Sequence, residues 1–599
     1  MKHRLLFLLV PVLFGTCFAP AQGWDPVPSV DLSKLKASDF RDDELDIPYY
    51  LKRFQELAGA VVEDGPNRGF MNIRVWRAAK DNQPYNARIM ESILSLTWFY
   101  TTNRPWNPYY GSKAVRQRLE AALDYWRRLQ SPEGKFSEYG PRQWNLAATA
   151  FATKFMGRTL MLLKTGPPID AALHKRVIEA NRRAIRITLT DPEFHRHGLS
   201  YTNQFTNVFA GGLAFLALYP DRELEAMLRK EIESDARNRQ SPAGYFYEAD
   251  GADFGYNLGT HHTNLDMAWH YTRGTDLGKV FAAEEQRWFE WFTWNAVPEP
   301  DWRLWTINRG VETRQKHAST PAKDSPLGEA APSALPFARS GAEVLAAKAK
   351  ARREMDSAWP DPQWLDSGGY FSGFSPYAFL LRDYREWHPT TAERDEGRRK
   401  LPYLVRKEFA MQIMDSRKPA VFTYVRRPGY YAAFNSGELF REQQRYGLGL
   451  MWSEKRGAVL QSQTGSDTAA WGTKPAGGAR VYEAASVLAR FTINGSVVDL
   501  RGGVRELPTG ALVARYALGQ AGEKTIEFGP DAIRVTVKHP GQFTEFVPLL
   551  RPAGDALIIE AGEAVSRGRH DAGSIEDGRQ ILVVELKAAG SLTYRLRIP

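Results

Sequence analysis

The stretch from Tyr245 to Asn264 concentrates side chains that can transfer protons or bind sugars. It holds three tyrosines, two adjacent histidines, two asparagines and three acids. Solvated loops contain few aromatic residues and buried cores contain few protonatable groups, so this mixture indicates a pocket that binds a sugar and moves a proton. Tyr256, His261 and His262 are the candidate proton carriers, and Asn257 is a candidate for neutralising a negative charge.

This combination suits proton abstraction next to a carboxylate, as in β-elimination from a uronic acid. The α-proton of a uronate is weakly acidic, so the site must first neutralise the carboxylate with Asn, Arg or a protonated acid. A Tyr or His then takes the proton, and a Tyr or His protonates the leaving glycosidic oxygen. Adjacent histidines diverge and lack the spacing of metal ligands, so neither a metal site nor a cofactor is predicted here. A structural Ca²⁺ or Zn²⁺ elsewhere in the chain is compatible with this prediction.

Two flanking segments contain further side chains that can bind a carboxylate. Upstream, Asn203 and Asn207 lie four residues apart near a helix start, on one helical face; capping of that helix by one of them is the alternative. Downstream, Arg309 and Arg314 lie on an apparent loop. Arginine binds carboxylates through two parallel hydrogen bonds, although both residues also suit a charged surface linker.

Four more residues are candidates for binding substrate, and each has a structural alternative. Trp144 and Asn145 begin a predicted helix, where the tryptophan suits either stacking on a sugar ring or burial in the core. Arg427 and Tyr430 lie in a predicted hairpin of the second half. They suit either contact with substrate, if this half closes over the cleft, or an ordinary exposed hairpin.

The N-terminus is typical of a secretory signal. A basic start and an apolar run precede Ala19-Pro-Ala21, an A-x-A cleavage site. We therefore expect residues 1–21 to be removed by cleavage after Ala21 and the product to be secreted or periplasmic. Phe14-Gly-Thr-Cys17 matches a lipoprotein box only weakly, because Thr stands where Gly, Ala or Ser is expected. Lipidation is therefore less favoured than cleavage after Ala21. Cys17 is the single cysteine, so the mature chain is expected to fold without disulfides.

Composition narrows the choice of partners. The chain of 599 residues carries a formal net charge of +10 and 12% aromatic residues, which suits a polyanionic or carbohydrate partner. Basic and acidic residues are interspersed and form no nucleic-acid-binding motif, so nucleic acid is not expected. No later run approaches the roughly 18 apolar residues of a membrane span. The length predicts two or three domains, while the oligomeric state is not indicated.

Hydrophobic spacing divides the chain into a helical half and a β-rich half. Apolar residues between 45 and 296 recur at helical intervals, with turn signals between segments. This pattern predicts an incomplete (α/α) toroid over 22–340, followed by a linker helix within 341–368. From 369 to 599 the period falls to two, and Asn494-Gly495 marks a hairpin. The second half is therefore predicted to be an antiparallel β-sandwich.

Taken in this order, the motifs resemble those of the chondroitin AC, hyaluronate and xanthan lyases and of the heparinase II/III-like lyases. Tyr201-Thr-Asn203 is similar to the helix start that carries the neutralising asparagine in the chondroitin AC group. Gly244-Tyr-Phe and Asp250-Gly-Ala-Asp-Phe254 resemble the segment that precedes the catalytic histidine. Arg309 and Arg314 stand where the arginine pair of these lyases follows. The resemblance implies metal-independent β-elimination from an anionic polysaccharide, with unsaturated uronate ends.

The chain departs from the pattern of these lyases at the proton carriers. Tyr256-Asn257 stand where the histidine is expected, and the usual tyrosine falls near His261 and His262. Two hypotheses follow. Either the roles are exchanged, with Asn257 in place of the histidine and a histidine in place of the tyrosine, or Tyr256 carries the proton and a histidine assists neutralisation.

Two other functions fit parts of the sequence. A glycoside hydrolase on a similar toroid needs two carboxylates that flank the bond, and the abundance of Tyr, His and Asn favours the lyase over it. A non-catalytic glycan-binding protein of the cell envelope needs aromatic surfaces but no protonatable groups at 256–262. The candidate carboxylates for a hydrolase are Glu248, Asp250, Asp253 and Asp266.

Overall fold

The computed structural model describes residues 23–73, 82–314, 326–362, 375–382, 384–562 and 565–599. The predicted signal peptide, its Cys17 and residues 363–368 of the predicted linker lie outside these ranges. Helices occupy the first part of the chain and strands the last, which confirms the predicted order of the two halves. Within the ranges given, no helix is long and apolar enough to cross a membrane.

The helical half contains segments whose ends coincide with caps and turn signals in the sequence. Their bounds are α1 Ile47–Gly59, α2 Ile93–Thr101, α3 Lys113–Arg128, α4 Leu146–Thr165, α5 Ala171–Thr190, α6 Pro192–Gly198, α7 Thr202–Phe205, α8 Asn207–Leu218, α9 Arg222–Asn238, α10 Phe254–Tyr256, α11 His262–Thr272, α12 Asp276–Asn295 and α13 Gly341–Ala358. A two-stranded hairpin, β1 Ala296–Pro298 and β2 Trp305–Ile307, follows α12.

These helices form two layers. α2 packs on α4, α4 on α8 and α8 on α11, which gives an inner layer, whereas α3, α5, α9 and α12 follow one another in an outer layer. The inner α2 and α4 are buried on nearly all sides, while the outer α3 and α5 bury one face. Outer helices are amphipathic because their other face meets water. This double layer is the predicted (α/α) toroid.

The second half begins with short helices. α14 Tyr377–Leu380, α15 Thr391–Arg399 and α16 Pro402–Val405 precede the first strand of the main sheet, which starts at Phe409 rather than near 369. Thr390 and Glu393 form a reciprocal capping box at the start of α15, and such boxes fix helix N-termini. The bounds of the strands are β3 Phe409–Asp415, β4 Ala420–Arg427, β5 Tyr430–Gly437, β6 Gly447–Ser453, β7 Gly457–Gln461, β8 Gly472–Pro475, β9 Arg490–Ile493, β10 Ser496–Val497, β11 Gly503–Glu506, β12 Leu512–Leu518, β13 Gly522–Phe528, β14 Ile533–Leu550, β15 Ile558–Ala561, β16 Ser566–Ser574 and β17 Gln580–Arg597.

Strands β3 to β17 form one antiparallel sheet that folds back on itself. Its main path runs β10-β9-β12-β13-β14-β7-β6-β5-β4-β3-β11. Phe434 on β5 contacts Phe491, Tyr516 and Phe528 on β9, β12 and β13, with ring centres 6.0, 6.3 and 6.1 Å apart. Because these strands are distant along the path, the contacts show two facing layers, as in the predicted β-sandwich. The Asn494-Gly495 hairpin joins β9 to β10 with positive φ at both residues.

A buried carboxylate joins the β-sandwich to the helical half. Asp415, at the end of β3, accepts hydrogen bonds from Ser241 Oγ at 2.7 Å, Tyr245 Oη at 3.0 Å and Tyr247 Oη at 2.7 Å. Burial, followed by the Asp415 charge, raises the pKa of both tyrosines, so their hydroxyls remain protonated donors. Two of the tyrosines in the central stretch therefore fix the domain interface.

Candidate functional site

Four side chains from three segments meet at the junction of the two halves. The guanidinium carbon of Arg314 lies 3.9 Å from the ring centre of Tyr256, and Arg314 Nη2 donates to Tyr256 Oη at 3.0 Å. Arg314 Nη1 donates to Glu248, whose other carboxylate oxygen accepts from Asn203 Nδ2. We call these four residues, Asn203, Glu248, Tyr256 and Arg314, the arginine cluster. It unites the three segments in which the sequence predicted the site.

Local backbone structure positions Tyr256 and Arg314 together. Asp253 precedes α10 and accepts from the Tyr256 backbone N–H through Oδ1 at 2.9 Å and from the Arg314 backbone N–H through Oδ2 at 2.8 Å. One carboxylate thus caps the helical turn and holds the loop after β2. A π-helical turn, Asn257–His261, follows and runs into α11. Such turns are rare and recur at functional sites.

The arginine cluster is buried at one end and open at the other. The Glu248 side chain is 0% exposed, whereas that of Arg314 is 30% exposed. Burial raises the pKa of Glu248 to about 7, against the opposing effect of Arg314. Burial also raises the pKa of Tyr256, and the Arg314 charge again opposes it. At neutral pH the free protein therefore keeps Tyr256 protonated and holds Glu248 near its titration midpoint.

Three residues outside the predicted site line the open side of the cluster, namely His197, Tyr201 and Arg441. Tyr201 stacks on His197 with ring centres 4.6 Å apart, and the Arg314 guanidinium lies 5.5 Å from the Tyr201 ring centre. Arg441, from the sandwich, donates to Tyr201 Oη at 2.7 Å. Partial desolvation lowers the pKa of the His197 imidazole, which still reaches solvent, and the Arg314 charge makes a smaller contribution. His197 could be identified from the sequence, because it lies just before Tyr201-Thr-Asn203. No sequence feature near Arg441 indicates a role in the site.

The structure places the two adjacent histidines inside the core rather than at the open side. His261 and His262 are both 0% exposed. The His261 ring stacks on Phe246 at 3.6 Å between centres, and His262 Nδ1 contacts the buried carboxylate of Glu285. Neither ring reaches solvent, because the π-helical turn directs both inward. The exposed imidazole beside the arginine cluster is that of His197 instead.

Two of the predicted asparagines are held by internal hydrogen bonds. Asn257 Oδ1 accepts from Trp288 Nε1 at 2.8 Å, and its amide exchanges hydrogen bonds of 3.3 Å with the Phe246 backbone. Asn207 Nδ2 donates to the Asn203 carbonyl at 2.7 Å. Both side chains are 0% exposed. Asn203 is the predicted asparagine that belongs to the arginine cluster, through its hydrogen bond to Glu248.

The remaining arginine and tyrosine candidates lie in buried contacts away from the cluster. Arg309 is 2% exposed and donates to Gln463 of the sandwich at 3.2 Å, so the predicted arginine pair is divided between the domain interface and the cleft. Arg427 donates to backbone carbonyls, including that of Phe409 at 3.1 Å. Tyr430 donates to the Gly529 carbonyl at 2.8 Å. Arg427 and Tyr430 occupy the opposite end of the β4–β5 hairpin from the Asp415 junction.

The loop before α4 borders the cluster. Asn145 Oδ1 accepts from the Ala148 backbone N–H at 2.8 Å, which makes Asn145 the N-cap of α4. Trp144 beside it is half-buried, and Tyr139 in the same loop is 68% exposed. The Tyr139 hydroxyl is close enough to Tyr256 to influence its pKa. The structure therefore places Tyr139 of this loop near Tyr256 and gives the Asn145 side chain a capping role, while substrate contact by Trp144 stays a prediction.

The carboxylates considered for a hydrolase do not face one another across an open gap. Glu248 and Asp253 are 0% exposed and hold Arg314. Asp250 accepts from Ser200 Oγ at 2.5 Å and from Lys418; against the effect of burial, these contacts lower its pKa. Asp266 lines a separate cavity that none of the four cluster residues lines. Among the residues with assigned structure, no group of three His, Cys, Asp or Glu side chains is placed to hold a metal ion.

A solved structure of a polysaccharide lyase shares this architecture. The chondroitin AC lyase of Streptomyces coelicolor A3, solved with chondroitin sulphate, gives a TM-score of 0.50 at 12% identity, covering 96% of this chain and 80% of that one. Heparinase III gives 0.47 at 9% identity, covering 96% and 88%. A heparan sulfate lyase from Pedobacter heparinus gives 0.43 at 9% identity, covering 91% and 83%. No family model and no curated protein matches the sequence. The chain therefore has the toroid and β-sandwich fold of the chondroitin AC-type polysaccharide lyases.

Proposed function

We propose that this protein is a polysaccharide lyase that cleaves a uronic-acid-containing glycan by β-elimination and leaves an unsaturated uronate end. The arginine cluster carries this proposal. A guanidinium, a carboxamide and a phenol converge there beside an exposed imidazole, on a fold shared with a chondroitin AC lyase. These groups supply charge neutralisation and proton transfer, the two requirements of the reaction.

Arg314 and Asn203 are the proposed neutralising groups. Both donate to Glu248 in the free protein, and the exposed edge of Arg314 is open to a substrate carboxylate. Protonation of Glu248 weakens its hold on Arg314, which frees the guanidinium for the substrate. Hydrogen bonds to the uronate then stabilise the negative charge that develops when the α-proton leaves.

Tyr256 is the proposed proton carrier at the reacting carbons. A uronate carboxylate bound by Arg314 brings its α-carbon next to the Tyr256 hydroxyl, because that hydroxyl is 3.0 Å from Arg314 Nη2. The raised pKa of Tyr256 keeps the phenol protonated at rest, which suits donation to the leaving glycosidic oxygen. His197, whose pKa is lowered by partial desolvation, is neutral at the same pH and is the proposed base.

The carboxylate geometry supports the lyase over a hydrolase. A hydrolase needs one protonated and one ionised carboxyl group on either side of the scissile bond. Glu248, the candidate with the raised pKa, is 0% exposed and bound to Arg314. A phenol and a guanidinium, rather than a carboxylate pair, line the accessible side.

A substrate panel tests the proposed reaction. The mature protein is incubated with uronate polysaccharides that differ in uronic acid, linkage and sulfation, and the ultraviolet absorbance of the conjugated double bond is followed. Rising absorbance supports the lyase. New reducing ends without absorbance indicate a hydrolase, and binding without either product indicates a glycan-binding protein.

We also propose export to the periplasm or the medium, on the evidence of the N-terminal sequence. N-terminal sequencing of the protein recovered from a secreting host tests this. A chain that begins at Gln22 agrees with cleavage after Ala21, whereas an uncleaved chain in the cytoplasm contradicts it.

A further inference from the structure

Arg441 places a second guanidinium at the open side of the arginine cluster. It lies between β5 and β6 of the sandwich and is exposed. Its guanidinium carbon lies 6.0 Å from the Tyr201 ring centre, and that of Arg314 lies 5.5 Å from the same centre. The two cations therefore border one aromatic ring, within reach of neighbouring residues of a single glycan.

The two guanidiniums differ in how they are neutralised. Arg314 is paired with the buried Glu248. In the described part of the chain, no carboxylate lies within 4.0 Å of the Arg441 guanidinium, which donates to the Tyr201 hydroxyl. The Arg441 charge contributes to the lowered pKa of Asp250, but the Asp250 carboxylate is already bound by Lys418 and Ser200. Arg441 therefore carries positive charge that is available to a ligand.

The loop that carries Arg441 is held in place by buried hydrogen bonds. Gln444 is 2% exposed, and its Oε1 accepts from the backbone N–H of Phe440 and Arg441 at 2.8 and 3.0 Å. Gln444 Nε2 donates to the Val311 carbonyl at 2.9 Å, in the same loop that carries Arg314. The backbone that carries the second cation is thus held beside the loop of the first before substrate binds, which reduces the entropic cost of binding.

We propose that Arg441 forms a second anion subsite and selects glycans with a carboxylate or sulfate on a residue adjacent to the cleaved uronate. This inference rests on the proposed function for the identity of the first subsite. Arginine suits the role because its planar fork binds either oxyanion through two hydrogen bonds. The Tyr201 hydroxyl orients that fork, and the Tyr201 ring lies within 6.0 Å of both guanidinium carbons.

Binding by a catalytically blocked variant tests the subsite without turnover. Tyr256→Phe and Tyr256→Phe/Arg441→Gln are titrated calorimetrically with three hexasaccharide probes: unsulfated chondroitin, chondroitin sulfate and a homopolymeric polyuronate. We expect Arg441→Gln to weaken binding at least 10-fold for a probe with the adjacent charge and less than 2-fold for unsulfated chondroitin. A larger loss with chondroitin sulfate identifies sulfate as the second anion, and a larger loss with the polyuronate identifies carboxylate. Arg490→Gln, which removes an exposed arginine of β9, is the matched control and should leave binding unchanged.

The outcomes separate this inference from the proposed reaction. Equal losses for all probes, or no loss, overturn the second subsite even if the wild type produces unsaturated ends. Failure of every probe to bind Tyr256→Phe also overturns it. A selective loss upon Arg441→Gln, together with a wild type that produces no unsaturated ends, supports the subsite and rejects the lyase. Arg441→Lys keeps the charge without the fork, so partial recovery of affinity shows that charge rather than folding is responsible.

Discussion

The arginine cluster at the cleft and a cluster inside the β-sandwich both combine buried carboxylate, a cation and tyrosine hydroxyl. In the sandwich, Lys524 Nζ lies 2.9 Å from both Glu483 and Glu545, and all three side chains are 0% exposed. Tyr516 and Tyr594 donate to the same carboxylates at 2.7 and 2.8 Å. This sandwich cluster uses nearly the same residue types as the arginine cluster.

The difference between the clusters is access to solvent. The sandwich cluster is sealed on all sides, so its charges can only stabilise or destabilise the fold, and buried charges require pairing. Arg314 in the arginine cluster remains 30% exposed beside His197 and Tyr201. Residue types alone therefore do not distinguish a structural ion cluster from a candidate reactive site. The distinguishing feature is a cation that is partly exposed to solvent and hydrogen-bonded to a fixed hydroxyl.

The largest expected effect is on catalysis. Tyr256→Phe removes the proposed proton carrier and should lower kcat by about 10²- to 10⁴-fold, the usual range for general acid–base groups, with binding retained. Tyr594→Phe is the matched control in the sandwich cluster. It should leave kcat unchanged and lower the free energy of unfolding by about 1–3 kcal/mol, because it removes a hydrogen bond to the buried Glu545. Initial rates and denaturant unfolding of both variants check this.

Full activity of Tyr256→Phe would contradict the role assigned to this phenol. His197→Gln is then the informative variant, because it replaces the proposed base with an uncharged side chain that can still form hydrogen bonds. Loss of activity in His197→Gln alone would assign both proton transfers to the imidazole.

The next effect concerns stability. Lys524→Met leaves two buried carboxylates without their cation and should lower the free energy of unfolding by about 3–5 kcal/mol, while kcat of the folded variant stays unchanged. Urea unfolding and initial rates below the unfolding transition provide the measurement. An unchanged unfolding free energy, or a specific loss of kcat in folded protein, would contradict the assignment of the sandwich cluster to stability alone.

The third effect depends on pH. Burial raises the pKa of Glu248 from 4.5 to about 7, so the folded chain binds this proton more tightly than the unfolded chain. The stabilisation from Glu248 is therefore full below pH 4.5 and is lost as pH rises to about 7. We expect the difference in unfolding free energy between wild type and Glu248→Gln to change by about 1–3 kcal/mol over that window. Urea unfolding at several pH values measures it, and parallel curves would show that Glu248 does not titrate there.

The smallest expected effect is at the border of the cleft. Asn145→Ala removes the N-cap of α4 and should cost about 1 kcal/mol of unfolding free energy without changing KM. Asn145→Asp keeps an oxygen that can cap the helix and serves as the control. A rise in KM for both variants would instead support the predicted contact between Asn145 and substrate.

Much of the fold follows from short-range patterns. The alternation at Ile533–Lys538 appears as the alternating burial of β14, and Asn494-Gly495 forms the hairpin between β9 and β10. The helix predicted to start near Asn203 is less regular than expected, because it breaks at Thr206 into α7 and α8. The carbonyl of Asn203 at this break accepts from the side chains of Asn207 and Asn264, and such side-chain contacts are not encoded in periodicity.

The site is predictable only in part, for the same reason. Asn203, Tyr256 and Arg314 were identified from motif order, and the structure brings them together. His261, His262 and Asn257 carry equally suitable side chains, but the π-helical turn directs them into the core. Sequence spacing assumes a regular helix, so it does not reveal which way a residue faces after such a turn. Arg441 is contributed by the other domain and lies 240 positions from its partner Tyr201.

The amino-acid sequence alone predicts the order of a helical and a β-rich half, and it shows that Tyr245–Asn264 concentrates proton-transferring side chains. Which of these side chains face the cleft depends on tertiary contacts. Tyr245 and Tyr247 bind Asp415, 170 and 168 positions away, whereas Tyr256 meets Arg314, 58 positions away. Backbone periodicity is a local property that neighbouring residues set, but the exposure and pKa of a side chain depend on groups that folding brings from distant segments.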